Sequence, residues 1–261
     1  MINKSSAWQL LANTLMVCAL SACALKKPDL NKEQAATFHH MGNFTAKHAD
    51  YSRAADMYKK AYKLDPSKSK SLVSLAKVQI MMGKYDEAIT TYHKVLRQDK
   101  NNKPARQGLA VAYFTAGESV DAAEQWQLLL NQEPKNVEAL NGLGLVMEQI
   151  HNYPRAQSCF KVALKATPES PLLLNNLGLT LAVQGALSQG IAQLRTAQKI
   201  TPSERLKNNL NLLQAIANQE ASLDVLISKL DAGFPKQRSS LTAEHKQTLI
   251  KYVNKWCQST V

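Results

Sequence analysis

The sequence predicts an all-α solenoid: five 34-residue helix pairs followed by a helical cap. Three observations carry that reading. Shifting the chain on itself by 34 places brings residues 35–68, 69–102, 103–136, 137–170 and 171–204 into one register without an insertion. Within that register the same places keep the same kind of side chain. Position 20 is small (Ala54, Ala88, Ala122, Ala156, Gly190), and position 24 is large (Tyr58, Tyr92, Trp126, Phe160, Leu194). The composition agrees, since aromatics are only 6% and Ala, Leu, Lys and Gln dominate, a mixture that favours helix over strand. At 45% apolar and 20% charged, the 261 residues can bury a core.

The first element is an address. Lys4 is the only formal charge before Lys26, and the segment from Ala7 to Ala22 is mostly apolar. A basic start, an apolar stretch and then small residues describe a bacterial export signal over residues 1–22. Its end, Leu20-Ser21-Ala22-Cys23, resembles the lipobox of bacterial lipoproteins. That resemblance implies cleavage before Cys23 and acylation of its thiol and new amine. Ala24 follows, where lipoproteins kept in the inner membrane typically carry Asp, so the resemblance favours the outer membrane facing the periplasm. Residues 23–34 read as a tether, and the eleven residues from Ala24 reach at most about 36 Å.

Each repeat position has a physical reason. Two antiparallel helices cross closely only where small side chains leave room, which accounts for position 20 and for position 8 (Gly42, Ala76, Ala110, Gly144, Gly178). Position 7 is apolar throughout: Met41, Leu75, Leu109, Leu143 and Leu177. The large residue at position 24 fills the space between units. Pro66, Pro134, Pro168 and Pro202 at position 32 stop a helix and set the turn into the next unit, with Lys100 as the one departure. Gly83, Gly117, Gly185 and Asn152 mark the turns inside units, and Pro154 falls in a first helical turn, where a missing N–H does no harm. This pattern resembles the tetratricopeptide repeat, which implies a right-handed superhelical solenoid with each unit's first helix along the inner wall.

Residues 205–218 read as a sixth first helix, because Asn209-Leu210 echoes Asn176-Leu177. A degenerate partner helix is expected near 221–231, a loop over 232–241 and a last amphipathic helix over 242–258. Together, residues 205–261 would cap the stack, whose last apolar face has no following unit.

No enzyme chemistry is expected. The chain lacks a phosphate-binding GxxxxGKS loop, a GxSxG elbow and an HExxH helix. His39, His40 and His48 stand together without a spaced Cys or carboxylate set, so a surface cluster is expected and neither metal nor cofactor. With Cys18 lost in the leader and Cys23 acylated, Cys159 and Cys257 remain, either paired or as two separate thiols. The formal charge of +12 is uneven: residues 24–102 hold 15 Lys/Arg against 8 Asp/Glu, and residues 103–204 hold 8 against 8. Such a half suits anionic headgroups or an acidic partner, or is simply a solvated helix face. Without a basic stripe set with aromatics, nucleic acid is not expected.

Function should therefore lie in the groove. Inward positions of the first helices include Val73, Ile80, Met81, Gln107, Val111, Phe114, Asn141, Leu145, Asn175, Leu179 and Val183. Apolar side chains bury a peptide's anchors and amides satisfy its backbone, so a protein segment is the expected partner. Asn141 and Asn175 are the amides on which that expectation leans most. The Lys/Asn/Asn/Lys/Arg clamp that holds chaperone tails in some repeat proteins would fall at His39, Asn43, Ser74, Pro104 and Gly108, where Asn43 alone fits.

The succession ALNGLG from Ala139, Ala156-Gln157, Ala163-Leu164, then NNLGLTLA from Asn175, Gly185 and Gly190-Ile191, resembles the TadD family of tight-adherence pilus-assembly lipoproteins. The likeness runs over roughly residues 15–220. It implies a periplasm-facing outer-membrane lipoprotein that helps to build a Flp pilus or its secretin. A pilotin of type IV pili and an envelope adaptor for peptidoglycan enzymes or another secretion system are the two other readings. Residues 232–261 match no part of that pattern.

Overall fold

A computed structural model of the chain describes residues 30–236 and 240–257, so the export signal and Cys23 lie outside the described residues. Thirteen helices and no strand occur among them. They pair as the repeat requires: α1 (Leu30–Lys47) with α2 (Tyr51–Leu64), α3 (Lys70–Met81) with α4 (Tyr85–Gln98), α5 (Lys103–Ala116) with α6 (Ser119–Gln132), α7 (Val137–Gln149) with α8 (Tyr153–Ala166), and α9 (Pro171–Val183) with α10 (Leu187–Ile200). Then come α11 (Glu204–Ala217), α12 (Leu223–Gly233) and α13 (Ala243–Trp256). The all-α solenoid is what the chain forms. Its first helix starts at Leu30, ahead of the repeat register at residue 35, so helix replaces the last part of the expected tether.

The first helices of units three to five open on side-chain caps. Asn102, Asn136 and Ser170 accept from the backbone N–H of Ala105, Ala139 and Leu173, and Ser203 does the same for α11 at Leu206. Turns inside units need one residue in the left-handed region. Gly83, Gly117 and Gly185 supply it without strain, whereas Ala49 and His151 take it in units one and four (φ 60° and 57°). In unit four the special residue is thus His151, one place before Asn152.

The large side chains at position 24 are buried, and each lies against a glycine. A Cβ on Gly42 would sit 2.6 Å from the Tyr58 ring, and one on Gly144 would sit 2.4 Å from Phe160. Tyr92 and Trp126 lean the other way, onto Gly108 and Gly142 of the following units, where a Cβ would come within 2.2 Å and 2.3 Å. Unit five goes further. A Cβ on Gly190 would lie 2.5 Å from the carbonyl oxygen of Gly178, so the usual Ala at position 20 has no room there.

After α11 the chain stops behaving as a repeat. α12 does not stack on α11 as a second helix would. It lies across the inner face of α9 and α11, burying Leu226 in one cluster with Leu179, Ala182 and Leu213. The chain then passes Phe114, with ring centroids of Phe114 and Phe234 6.4 Å apart, and Gln149 donates to the Pro235 carbonyl (3.2 Å). α13 runs back over α6, α7 and α8, on the side of the second helices. Leu249 and Val253 enter the core of units three and four, Arg155 donates to Asn254 (3.0 Å) and Lys255 to Asn131 (2.9 Å). Cys159 and Cys257 are joined as a disulfide with a Cα–Cα distance of 4.5 Å. The expected end cap is therefore an arm that returns to the middle of the array.

Candidate partner-binding groove

The inner wall divides into an open half and a filled half. In units three and four, α5, α7 and the α8–α9 turn enclose a cleft of about 920 Å³. Five of the residues placed on the inner wall from the sequence line it together: Gln107, Val111, Phe114, Asn141 and Leu145. Trp126, Leu172 and Leu173 add apolar surface, and Glu138 and Glu169 are exposed at its rim. Two of its polar groups have no partner in the fold: the Gln107 Oε1 acceptor and the Trp126 Nε1 donor. A smaller hollow of about 470 Å³ continues from it along units one and two, lined by Ile80, Met81 and again Val111. Met81 is 61% exposed there, whereas Val73 is half-buried against the core of the first units.

The rest of the expected wall is not open. Leu179 is buried and Val183 half-buried in the cluster that α12 completes. Asn175, 4% exposed, is a link in a ladder of amides: Lys229 of α12 donates to Asn209 (3.0 Å), Asn209 to Asn175 (2.8 Å), Asn175 to Asn176 (3.2 Å) and Asn176 to Asn141 (3.0 Å). The reading of Asn175, Leu179 and Val183 as open groove positions is corrected: Leu179 and Val183 pack in one cluster with Leu226 of α12, and Asn175 is tied to Asn209 of α11 and to Asn176. Asn141 ends the ladder with an acceptor and still lines the cleft. Replacing Asn175 by Ala orphans buried partners on both sides, and a loss of about 1–3 kcal/mol is expected in urea unfolding. Asn141→Ala leaves only the Asn176 side-chain donor without its acceptor, at the half-buried end, so a smaller loss than for Asn175→Ala is expected.

One carboxyl stands out in the seam between units four and five. Glu148 of α7 is 3% exposed and accepts from the Thr180 hydroxyl of α9. Burial pushes its pKa up to about 7, against the smaller opposing effect of that hydrogen bond. The folded form therefore prefers the protonated acid. Below the ordinary carboxylate range both states are protonated and stability is whole; as pH climbs towards 7 the unfolded chain ionises first and stability falls. The total decline is about 3 kcal/mol for a rise from 4.5 to about 7. Glu148→Gln keeps the acceptor and removes the slope, so its unfolding midpoint at pH 8 should exceed the parent's while the two agree at pH 4.

His39, expected on the surface, is buried instead, with Nδ1 3.2 Å from the Ser71 hydroxyl, and its pKa is lowered by burial, then by Lys70 and His40. Asn43 accepts from the Tyr58 hydroxyl (2.8 Å), which further removes it from a carboxylate clamp. The cleft residues that sequence reasoning missed include Trp126, Glu138, Glu169, Leu172 and Leu173. Trp126 carried a signal: Gly142 at position 6 of the next unit is the space its ring needs.

Two family models, both described as tetratricopeptide repeat, match the chain, one over residues 46–101 and 79–146 and the other over 148–205. No curated protein matches. Solved structures with the same fold include TTC0263, a thermophilic TPR protein of Thermus thermophilus (19% identity, 68% of this chain and 100% of that one, TM-score 0.60). Pseudomonas aeruginosa PilF is similar over 78% of this chain and 99% of its own at 16% identity and TM-score 0.60. YrrB, described as a TPR protein with an unusual peptide-binding site, covers 73% of this chain and 94% of its own at 21% identity and TM-score 0.50. At these identities the likeness concerns the fold alone.

Proposed function

Because this chain belongs to the tetratricopeptide-repeat family of protein-interaction scaffolds, we propose that it is a non-catalytic scaffold whose units three and four hold a segment of a partner protein. The observation that carries this is the cleft, which stays open although the chain fills its own inner wall further on. Val111, Phe114, Leu145 and Leu172 suit an apolar anchor, and the amides of Gln107 and Asn141 suit a peptide backbone. Glu138 and Glu169 at the rim favour a basic residue beside that anchor.

In this reading the protein is a lipoprotein anchored at Cys23, facing the periplasm from the outer membrane, and it assists assembly of a Flp (type IVb) pilus or its secretin. Three features support it: the lipobox resemblance, the tight-adherence succession between Ala139 and Ile191, and a disulfide that suits an oxidising compartment. Deleting the gene and scoring secretin multimers and surface pili tests the role. Loss of both agrees with it; intact pili and multimers point instead to an envelope adaptor. A photo-crosslinker at Phe114 in native envelopes should capture a pilus or secretin component, and mass spectrometry of the N-terminus checks for acylated Cys23.

A further inference from the structure

A solenoid needs a polar outer face on a terminal helix that no other unit covers. α1 lacks one. Its inward face holds Ala35, Phe38, His39 and Gly42, whereas Leu30, Met41 and Phe44 point outward at 64%, 42% and 66% exposure. Their spacing lays them along one stripe, with Thr37 between and His48 stacked on Phe44 (centroids 4.4 Å apart). Of the charges on α1 itself, Lys32 and Lys47 stand against Glu33, and residues 24–102 as a whole carry 15 Lys/Arg against 8 Asp/Glu.

We propose that this outer face of α1 docks onto an anionic phospholipid surface. The inference rests on the lipoprotein reading for its geometry: Leu30 is seven residues from Cys23, a reach of at most about 25 Å, so an acylated chain holds α1 beside the headgroups. Apolar side chains at an interface, backed by basic residues, form the second signal that a lipid anchor needs to fix orientation as well as attachment. The scaffold would then stand on the membrane by its first unit, with the cleft of units three and four held away from it.

The test uses the unacylated chain from Ala24 to Val261, which retains every packed element described above, and flotation with vesicles. It should float with vesicles containing phosphatidylglycerol and not with phosphatidylcholine alone, and added salt should weaken binding. Met41→Asp with Phe44→Asp should weaken it by about tenfold or more with the far-UV circular dichroism unchanged. Parent protein that stays with the soluble fraction, or a double variant that floats equally well, overturns the proposal. So does a parent dimer that the double variant converts to monomer without any effect on flotation, which assigns the face to a second copy. Acylation of Cys23 is read separately by mass, so either idea can fail alone.

Discussion

Removing the disulfide, by Cys159→Ala with Cys257→Ala or by reduction, is expected to lower stability by about 3–5 kcal/mol. The bond closes a loop across a sequence separation of 98, and in the chain-entropy picture a cross-link of that span is worth up to about 4.7 kcal/mol. The rest of what holds α13 is modest: it buries only Leu249 and Val253 deeply, with Tyr252 and Trp256 half-buried beside them, and the side-chain hydrogen bonds that tie it to the array, Arg155 with Asn254 and Lys255 with Asn131, are exposed. The loss should therefore begin locally: hydrogen exchange in α13 should rise first, and Trp256 fluorescence should shift before the helices of units one and two melt. Urea unfolding with and without reductant gives the total, and superimposable curves would mean the cross-link adds nothing to the fold. The arm also passes the cleft at Phe234, so the reduced protein should bind a cleft ligand less tightly as well.

The arm is also where sequence reasoning stopped. Period 34 fixes five units because every unit repeats the same packing problem, and one solution read from Ala54 and Tyr58 holds again at Ala156 and Phe160. α12 and α13 repeat nothing. Their helices were legible from amphipathic spacing, within about two residues at either end, but their docking depends on pairings such as Lys255 with Asn131, 124 residues apart, that no local pattern encodes. The site suffered accordingly. Rules for inward positions assume an open hollow, and Gln107, Val111, Phe114, Asn141 and Leu145, placed by them, line one cleft. They failed at Leu179, where a helix from beyond residue 220 has entered, and at Asn175, which is bonded to Asn209 of the next first helix. Cys159 and Cys257 raise the same difficulty, since two thiols in sequence do not say whether the fold brings them together.

Trp126→Ala should cost about 3–5 kcal/mol, the usual penalty for deleting a large buried ring, and should empty one wall of the cleft. What makes the site informative is the glycine that receives the ring. Each large residue at position 24 has two places to lean, position 8 of its own unit or position 6 of the next. In every case one of the two is glycine and the other is not: Gly42 and Ser74, Ala76 and Gly108, Ala110 and Gly142, Gly144 and Asn176, Gly178 and Leu210. The large side chain lies on the glycine each time. Gly142→Ala puts a methyl 2.3 Å from the indole and should cost about 1–3 kcal/mol through overpacking. If the glycine directs the ring, adding Ala110→Gly should restore part of that loss by letting Trp126 turn back onto its own unit, a coupling that a double-mutant cycle measures. Strictly additive losses would show instead that the indole has one fixed seat. A turned ring also withdraws from the cleft, so the double variant should regain stability while losing affinity for any segment anchored between Phe114 and Leu145, which separates the ring's packing role from its part in recognition.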